Sequence, residues 1–149
     1  MQQFSPTIIW RHRKENLKKC SLRGLESRDD CLFFTYPKDT LPDLTNYVLL
    51  AVDGEVLSEA DGKHGLFLID GTWAYAELMM RQLPKMPLKR SLPAHFKTAY
   101  PRKQDEEHGL ASVEALYLAY LLTGRNTEGL LDNYHWKASF LEKNGLTGP

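Results

Sequence analysis

Three uninterrupted apolar runs, each closed by a turn signal, organise the first half of this 149-residue chain. They are "CLFFTYP" (31–37), ended by Pro37, "NYVLLAV" (46–52), ended by Asp53-Gly54, and "GLFLI" (65–69), which leads into Asp70-Gly71. Continuous rather than alternating apolar residues predict strands covered on both faces, as in a parallel α/β sheet. "TIIWRH" (7–12) predicts a short first strand, followed by a basic turn region over 13–25.

Helical spacing takes over in the second half. In 72–83 the recurring residues are Trp73, Ala76, Met80 and Leu83. In 112–122, Val113, Leu116, Tyr117, Tyr120 and Leu121 fit the i, i+3, i+4, i+7, i+8 template, with Gly124 just past the end. A third helix is expected over about 127–143, carrying Leu130, Leu131, Tyr134, Ala138 and Leu141. The stretch 85–109, with three prolines and mixed charges, predicts a largely irregular connection. A connection of that length inside a compact domain is usually functional or mobile.

Composition adds that 42% of residues are apolar, enough for one globular domain with a real core. No repeat and no low-complexity linker divides the chain. The two cysteines, Cys20 and Cys31, form no CxxC and have no histidine at zinc-ligand spacing nearby, so both read as free thiols, with a disulfide as the alternative, and no metal is expected. Met1–Thr7 is polar, Arg11 interrupts the nearest apolar stretch, and no run approaches membrane-spanning length. The expectation is a soluble, cytoplasmic protein.

Charge changes the picture. The formal net charge is zero, yet residues 1–28 hold seven Lys/Arg against two acids, and 81–103 hold seven against none. Two basic segments could form one patch if the fold brings them together; scattered, solvated cations are the alternative.

The candidate chemistry gathers at "LIDGTW" (68–73). Asp70 falls at the carboxyl end of an expected strand, where open α/β sheets bind ligands. Gly71 permits close backbone approach, and a helix starting near Thr72 offers unpaired N–H groups. An Asp or Thr at this place is equally an ordinary helix cap, and Trp73 ordinary core. In "GLASVEAL" (109–116), Ser112 is a plausible N-cap and Glu114 suits the positive end of the helix dipole. Neither GxGxxG nor GxxxxGK[ST] occurs, and no Ser-His-Asp or Cys-His arrangement can be argued from spacing.

Four segments, in order, resemble one family: the SAM-dependent aminocarboxypropyltransferases that modify small-subunit ribosomal RNA, relatives of the DTW-domain tRNA-uridine enzymes. "NLKKCSLRGL" (16–25) is similar to D-P-K-K-C-[ST]-G-x-x-L, and "EVLSEAD" (55–61) to V-L-S-P-x-D. "GLFLIDGTW" (65–73) resembles G-L-x-V-V-D-C-S-W, and 90–124 resembles R-x-L-P-x-L-x-A-A-N-P-V-N-Y-G-x-x-x-x-L-S-x-V-E-A with its helix. Asp-Gly-Thr-Trp moves toward the DTW branch, and "AYPRKQ" (99–104) lacks the family's two asparagines and glycine.

The resemblance implies a SPOUT-like α/β fold: a mostly parallel sheet, a C-terminal trefoil-type knot and a small N-terminal basic element. Residues 1–45 would form the RNA-contacting part and 46–149 the SAM-binding part of one compact unit. S-Adenosylmethionine would be held by Ser21, Leu50, Asp70, Thr72, Trp73, Leu92, Tyr100, Leu110, Ser112, Ala115 and Leu116. Asp70 would assist loss of the uridine N3 proton or hold the cofactor's ammonium. Arg11, Lys18, Lys19, Arg90 and Arg102 would contact RNA, ribosomal rather than transfer RNA, in a monomer. The rival expectations are a tRNA-uridine enzyme, a SPOUT-type RNA methyltransferase, and a non-catalytic ribosome-assembly module, the last favoured by the altered 99–104 loop.

Overall fold

A computed structural model describes residues 4–14, 21–99 and 110–146, apart from the side chain of Trp73. The expected strands form. They are β1 (Thr7–His12), β2 (Cys31–Tyr36), β3 (Tyr47–Val56) and β4 (Gly65–Asp70). All pair in parallel, in the order β2-β1-β4-β3, and a fifth strand, β5 (Leu88–Ser91), joins the outer edge of β3. Alternation along the strands divides the core into two layers. On one face Ile9, Val48, Leu66 and Leu68 meet helix α2 (Ser112–Thr123) and helix α3 (Lys137–Lys143). On the other face Ile8, Trp10, Leu49 and Phe67 meet Met79 of helix α1 (Trp73–Arg81), with Leu41 and Leu44 alongside. Coverage on both faces is why the runs are continuously apolar. Among the described residues, no helix is long and apolar enough to cross a membrane.

Four expectations change. The 85–109 connection is not wholly irregular, because it contains β5; residues 100–109 lie outside the described part. Asp53-Gly54 does not end β3. The chain bulges there and returns to the same partner, so both Leu50 and Glu55 pair with Arg90. Gly54 has φ +107°, and a Cβ on it would fall 2.7 Å from the Lys89 carbonyl oxygen, so only glycine suits the bulge. The third helix is also shorter than expected. Residues 128–133 form turns instead, Gly129 has φ +83°, and the Arg28 guanidinium donates to the carbonyl oxygen of Glu128 at 2.7 Å. Within α2 the template is blurred as well. Leu118 and Ala119 are buried and Leu121 is exposed, because the helix lies between the sheet and the C-terminal segment.

β1 and β2, from the N-terminal part, share this one sheet with the later strands. At its amino end Thr7 Oγ1 and the Tyr120 hydroxyl are hydrogen-bonded at 2.8 Å, both buried. Cys31 is a free thiol beside them; burial pushes it up to about 11, against a weaker opposing effect of the Tyr120 hydrogen bond. Cys20 lies outside the described residues. Tyr120→Phe strands the Thr7 hydroxyl and is expected to cost about 1–3 kcal/mol in urea unfolding, with an unchanged m-value. An unchanged midpoint would show that the bond contributes nothing.

Candidate functional site

The chain leaves β1 toward β2 on one side of the sheet and leaves β4 toward β5 on the other. Between β1 and β4 the connections therefore diverge, and the carboxyl ends of these two strands are where an open parallel sheet accepts a ligand. Arg11 and Asp70 stand opposite each other in register at that point. Arg11 Nε meets Asp70 Oδ2 at 3.0 Å, with Arg11 8% and Asp70 3% exposed. Arg11 also donates through Nη1 to Glu26 Oε2 at 2.9 Å, and its guanidinium lies 4.6 Å over the Phe33 ring. Burial alone would raise the Glu26 carboxyl. Hydrogen bonds from its own backbone, Arg11 and Gly24 outweigh that and hold it below its ordinary range.

The second wall comes from the start of α2. Ala111 occupies the N-cap and Ser112 the first helical position, which corrects the expected cap at Ser112. The Ser112 hydroxyl instead donates to Asp70 Oδ1 at 3.3 Å. Ser21 Oγ accepts from the Val113 N–H at 3.1 Å, so a side chain from before β2 satisfies a helix-end donor. Asp70 is no helix cap either. Thr72 caps α1, its hydroxyl accepting from the Tyr75 N–H at 3.4 Å.

Glu114 does more than complement a helix dipole. Fully buried, its Oε1 accepts from the Ala111 N–H at 2.8 Å and the Thr98 hydroxyl at 2.6 Å. Its Oε2 accepts from the Ala99 N–H and the Tyr134 hydroxyl, both at 2.8 Å. The end of α3 grips the same segment: Asn144 accepts from the Lys97 N–H at 2.7 Å and donates to the Lys97 carbonyl at 2.8 Å, and Lys143 donates to the Thr98 carbonyl at 3.1 Å. Residues 97–99 are thereby fastened to α2 and α3. Glu26, Thr98, Tyr134 and Asn144 carry no local signal in the sequence, because their partners are mostly tens of residues away.

The remaining candidates divide. Leu50, Leu92 and Leu110 are half-buried and pack against the α2-side core, and Ala115 is half-buried. Leu116 is fully buried, so it supports the wall from behind rather than lining it. Arg11 is turned inward by its acidic partners. Arg90, half-buried, is bound through Nε to Asp61 Oδ1 at 3.1 Å and through Nη1 to the Lys89 carbonyl, so it too is held within the fold. Lys18, Lys19, Tyr100, Arg102 and the side chain of Trp73 lie outside the described residues.

Neither a family model nor a curated protein matches this sequence. Among solved structures the chain is similar to the SAM-dependent rRNA:acp-transferase Tsr3 from Vulcanisaeta distributa, with a TM-score of 0.74 and 20% identity. The likeness covers 96% of this chain and 80% of that one, and it establishes a shared fold.

Removing Arg11 leaves the Asp70 carboxylate buried without its cation. Arg11→Met is expected to lower unfolding stability by about 3–5 kcal/mol, and Asp70→Asn added to it should recover part of that loss. Additive losses in the double variant would show that the two groups are not coupled.

Proposed function

We propose that this chain transfers the 3-amino-3-carboxypropyl group of S-adenosylmethionine to a uridine or pseudouridine-type base of small-subunit ribosomal RNA, acting as a monomer in the cytoplasm. The observation that carries the reading is the fold likeness to an rRNA:acp-transferase over nearly the whole chain. Two further features support it: the resembling motifs fall on β4, the 90–99 segment and α2, and the Asp70 corner stands at the divergence of β1 and β4. The SPOUT-like, C-terminally knotted topology belongs to the same proposal. Its support is that β4 inserts between β1 and β3, and that the chain returns from edge strand β5 to reach Asp70 through Ser112.

The residues present fit the cofactor. Bound S-adenosylmethionine supplies a sulfonium whose aminocarboxypropyl carbon is open to in-line attack by the base nitrogen, with methylthioadenosine leaving. Half-buried Leu50, Leu92 and Leu110 offer apolar walls, which favour burying the methyl group over the charged amino-acid end. Which carbon the walls leave open decides which group moves. Asp70 serves either to receive the base's N3 proton or to hold the cofactor's ammonium. Glu114 and Asn144 hold the 97–99 segment beside the start of α2.

S-Adenosylmethionine labelled in the aminocarboxypropyl carbons should label ribosomal RNA and release methylthioadenosine. Transfer of a methyl label with formation of S-adenosylhomocysteine would replace the proposal with a methyltransferase, and labelled tRNA would move the target to the tRNA-uridine branch. Asp70→Asn separates its two roles. Weakened cofactor binding assigns it to the ammonium; unchanged binding with transfer lost assigns it to the proton.

Asn144→Ala removes the grip on Lys97 without opening the core. It should weaken S-adenosylmethionine binding roughly tenfold and lower unfolding stability by about 1–3 kcal/mol, because its bonds to Lys97 and Phe140 are made without the cofactor. Wild-type affinity in calorimetric titration would show that the segment needs no such fastening.

A further inference from the structure

Across the sheet from Asp70, the same carboxyl end carries a row of aromatic rings. Side chains alternate along β1, so Arg11 faces α2 while Trp10 and His12 face α1. Trp10 meets Tyr36 edge-on at 5.4 Å between ring centroids, and Tyr36 tilts over His12 at 5.5 Å. His12 lies flat on Tyr75 of α1, at 3.8 Å and an interplanar angle of 5°. Trp10 and His12 are buried; Tyr36 and Tyr75 are only half-buried and carry the row to the surface.

Three features go beyond what packing α1 on the sheet requires. A histidine is a costly core residue: burial lowers its pKa, and the adjacent cations Arg13 and Lys14 lower it further, favouring a neutral, flat ring. The Lys14 N–H donates to its Nδ1 at 3.1 Å, which places the proton of the neutral ring on Nε2. Next, the loop from Asp70 to α1 runs along the stack. A Cβ on Gly71 would lie 3.4 Å from the Cβ atoms of both His12 and Tyr75, so the rings adjoin the candidate site. Finally, Arg13 and Lys14 follow the stack directly and are exposed. Aromatic faces beside exposed cations are the means by which proteins hold unpaired nucleotides, stacking the base and meeting the phosphate.

We propose that the His12–Tyr75 stack, with Tyr36 and the cations of Arg13 and Lys14, docks an unpaired RNA base next to the nucleotide presented to Asp70. This rests on the RNA-modifying reading above. A strand crossing the carboxyl ends of β1 and β4 meets Asp70 on one face and the rings on the other, because Arg11 and His12 are consecutive residues pointing opposite ways. Duplex RNA is a poor ligand for this platform, since its bases are already stacked on one another.

Fluorescence anisotropy with a labelled uridine-rich single-stranded nonamer, and with a duplex of the same length, tests the platform without cofactor. Tyr75→Leu should weaken single-strand binding about 5- to 150-fold, the loss of one base–aromatic stack, while Tyr75→Phe retains it. The salt dependence should stay as in the unaltered protein, because no phosphate contact is lost. The unaltered protein gives a readout free of folding effects: the ring proton resonances of His12 should shift on adding the single strand and not on adding the duplex. Unchanged affinity in Tyr75→Leu, an equal loss for the duplex, or unmoved His12 resonances would overturn the platform alone. Absence of any RNA binding by the unaltered protein would overturn the RNA reading and the platform with it.

Discussion

The contact between Arg11 and Asp70 joins two neighbouring inner strands of the sheet, β1 and β4, at the place where the chain turns away from each of them. Both charges leave water there, a step costly enough that an apolar pair of similar size would often be as stable. Each charge is compensated on the spot: the guanidinium by Asp70, Glu26 and the face of Phe33, the carboxylate by Arg11 and the Ser112 hydroxyl. Glu26 belongs to the turn before β2 and Ser112 to the first turn of α2. One ion pair thereby brings four remote pieces of chain to the same corner, and an apolar pair could not specify that arrangement by direction and reach.

What surrounds the corner is built in the same manner, by side chains that satisfy backbone groups far away in sequence. Ser21 accepts from the first turn of α2, Glu114 from Ala99, and Asn144 bonds both polar groups of the Lys97 backbone. Residues 92–99 have no ladder of their own beyond β5. Phe96 donates within the segment to the Pro93 carbonyl, and at 97–99 the backbone groups are met by α2 and the end of α3. The C-terminal helix is thus part of the apparatus that shapes the proposed cofactor loop, although it lies on the surface and carries no motif.

The same economy explains the charge distribution. Two basic segments within a neutral chain suggest one binding face, but Arg11 and Arg90 are spent on Asp70, Glu26 and Asp61 inside the fold. Among the described residues, Arg13 and Lys14 continue from β1 as exposed cations beside the candidate site, and they stand next to rings. On the proposed reading, such a surface would meet nucleotides through base faces as well as through phosphates.

Four of the five described strands were legible in the sequence, because strands covered on both faces leave nearly continuous apolar runs, although the Asp53-Gly54 turn signal did not end β3. Asp70 was legible as a strand-end carboxylate, and the α2 helix by its period. β5 was not, since Leu88-Lys89-Arg90-Ser91 has no apolar pattern and becomes a strand only by pairing with β3. The early start expected for the last helix failed for a related reason: 128–133 has helix-like apolar spacing, but Gly129 and the long-range bond from Arg28 hold it in turns. Local pattern therefore determined which segments are buried, but not everywhere where they end. Tertiary structure alone decided that Asp70 faces an arginine 59 residues away, that Glu114 is a clamp as well as a first-turn acid, and that His12 lies flat against Tyr75. Burial leaves a periodic trace along the chain, whereas a directed contact between distant side chains leaves none.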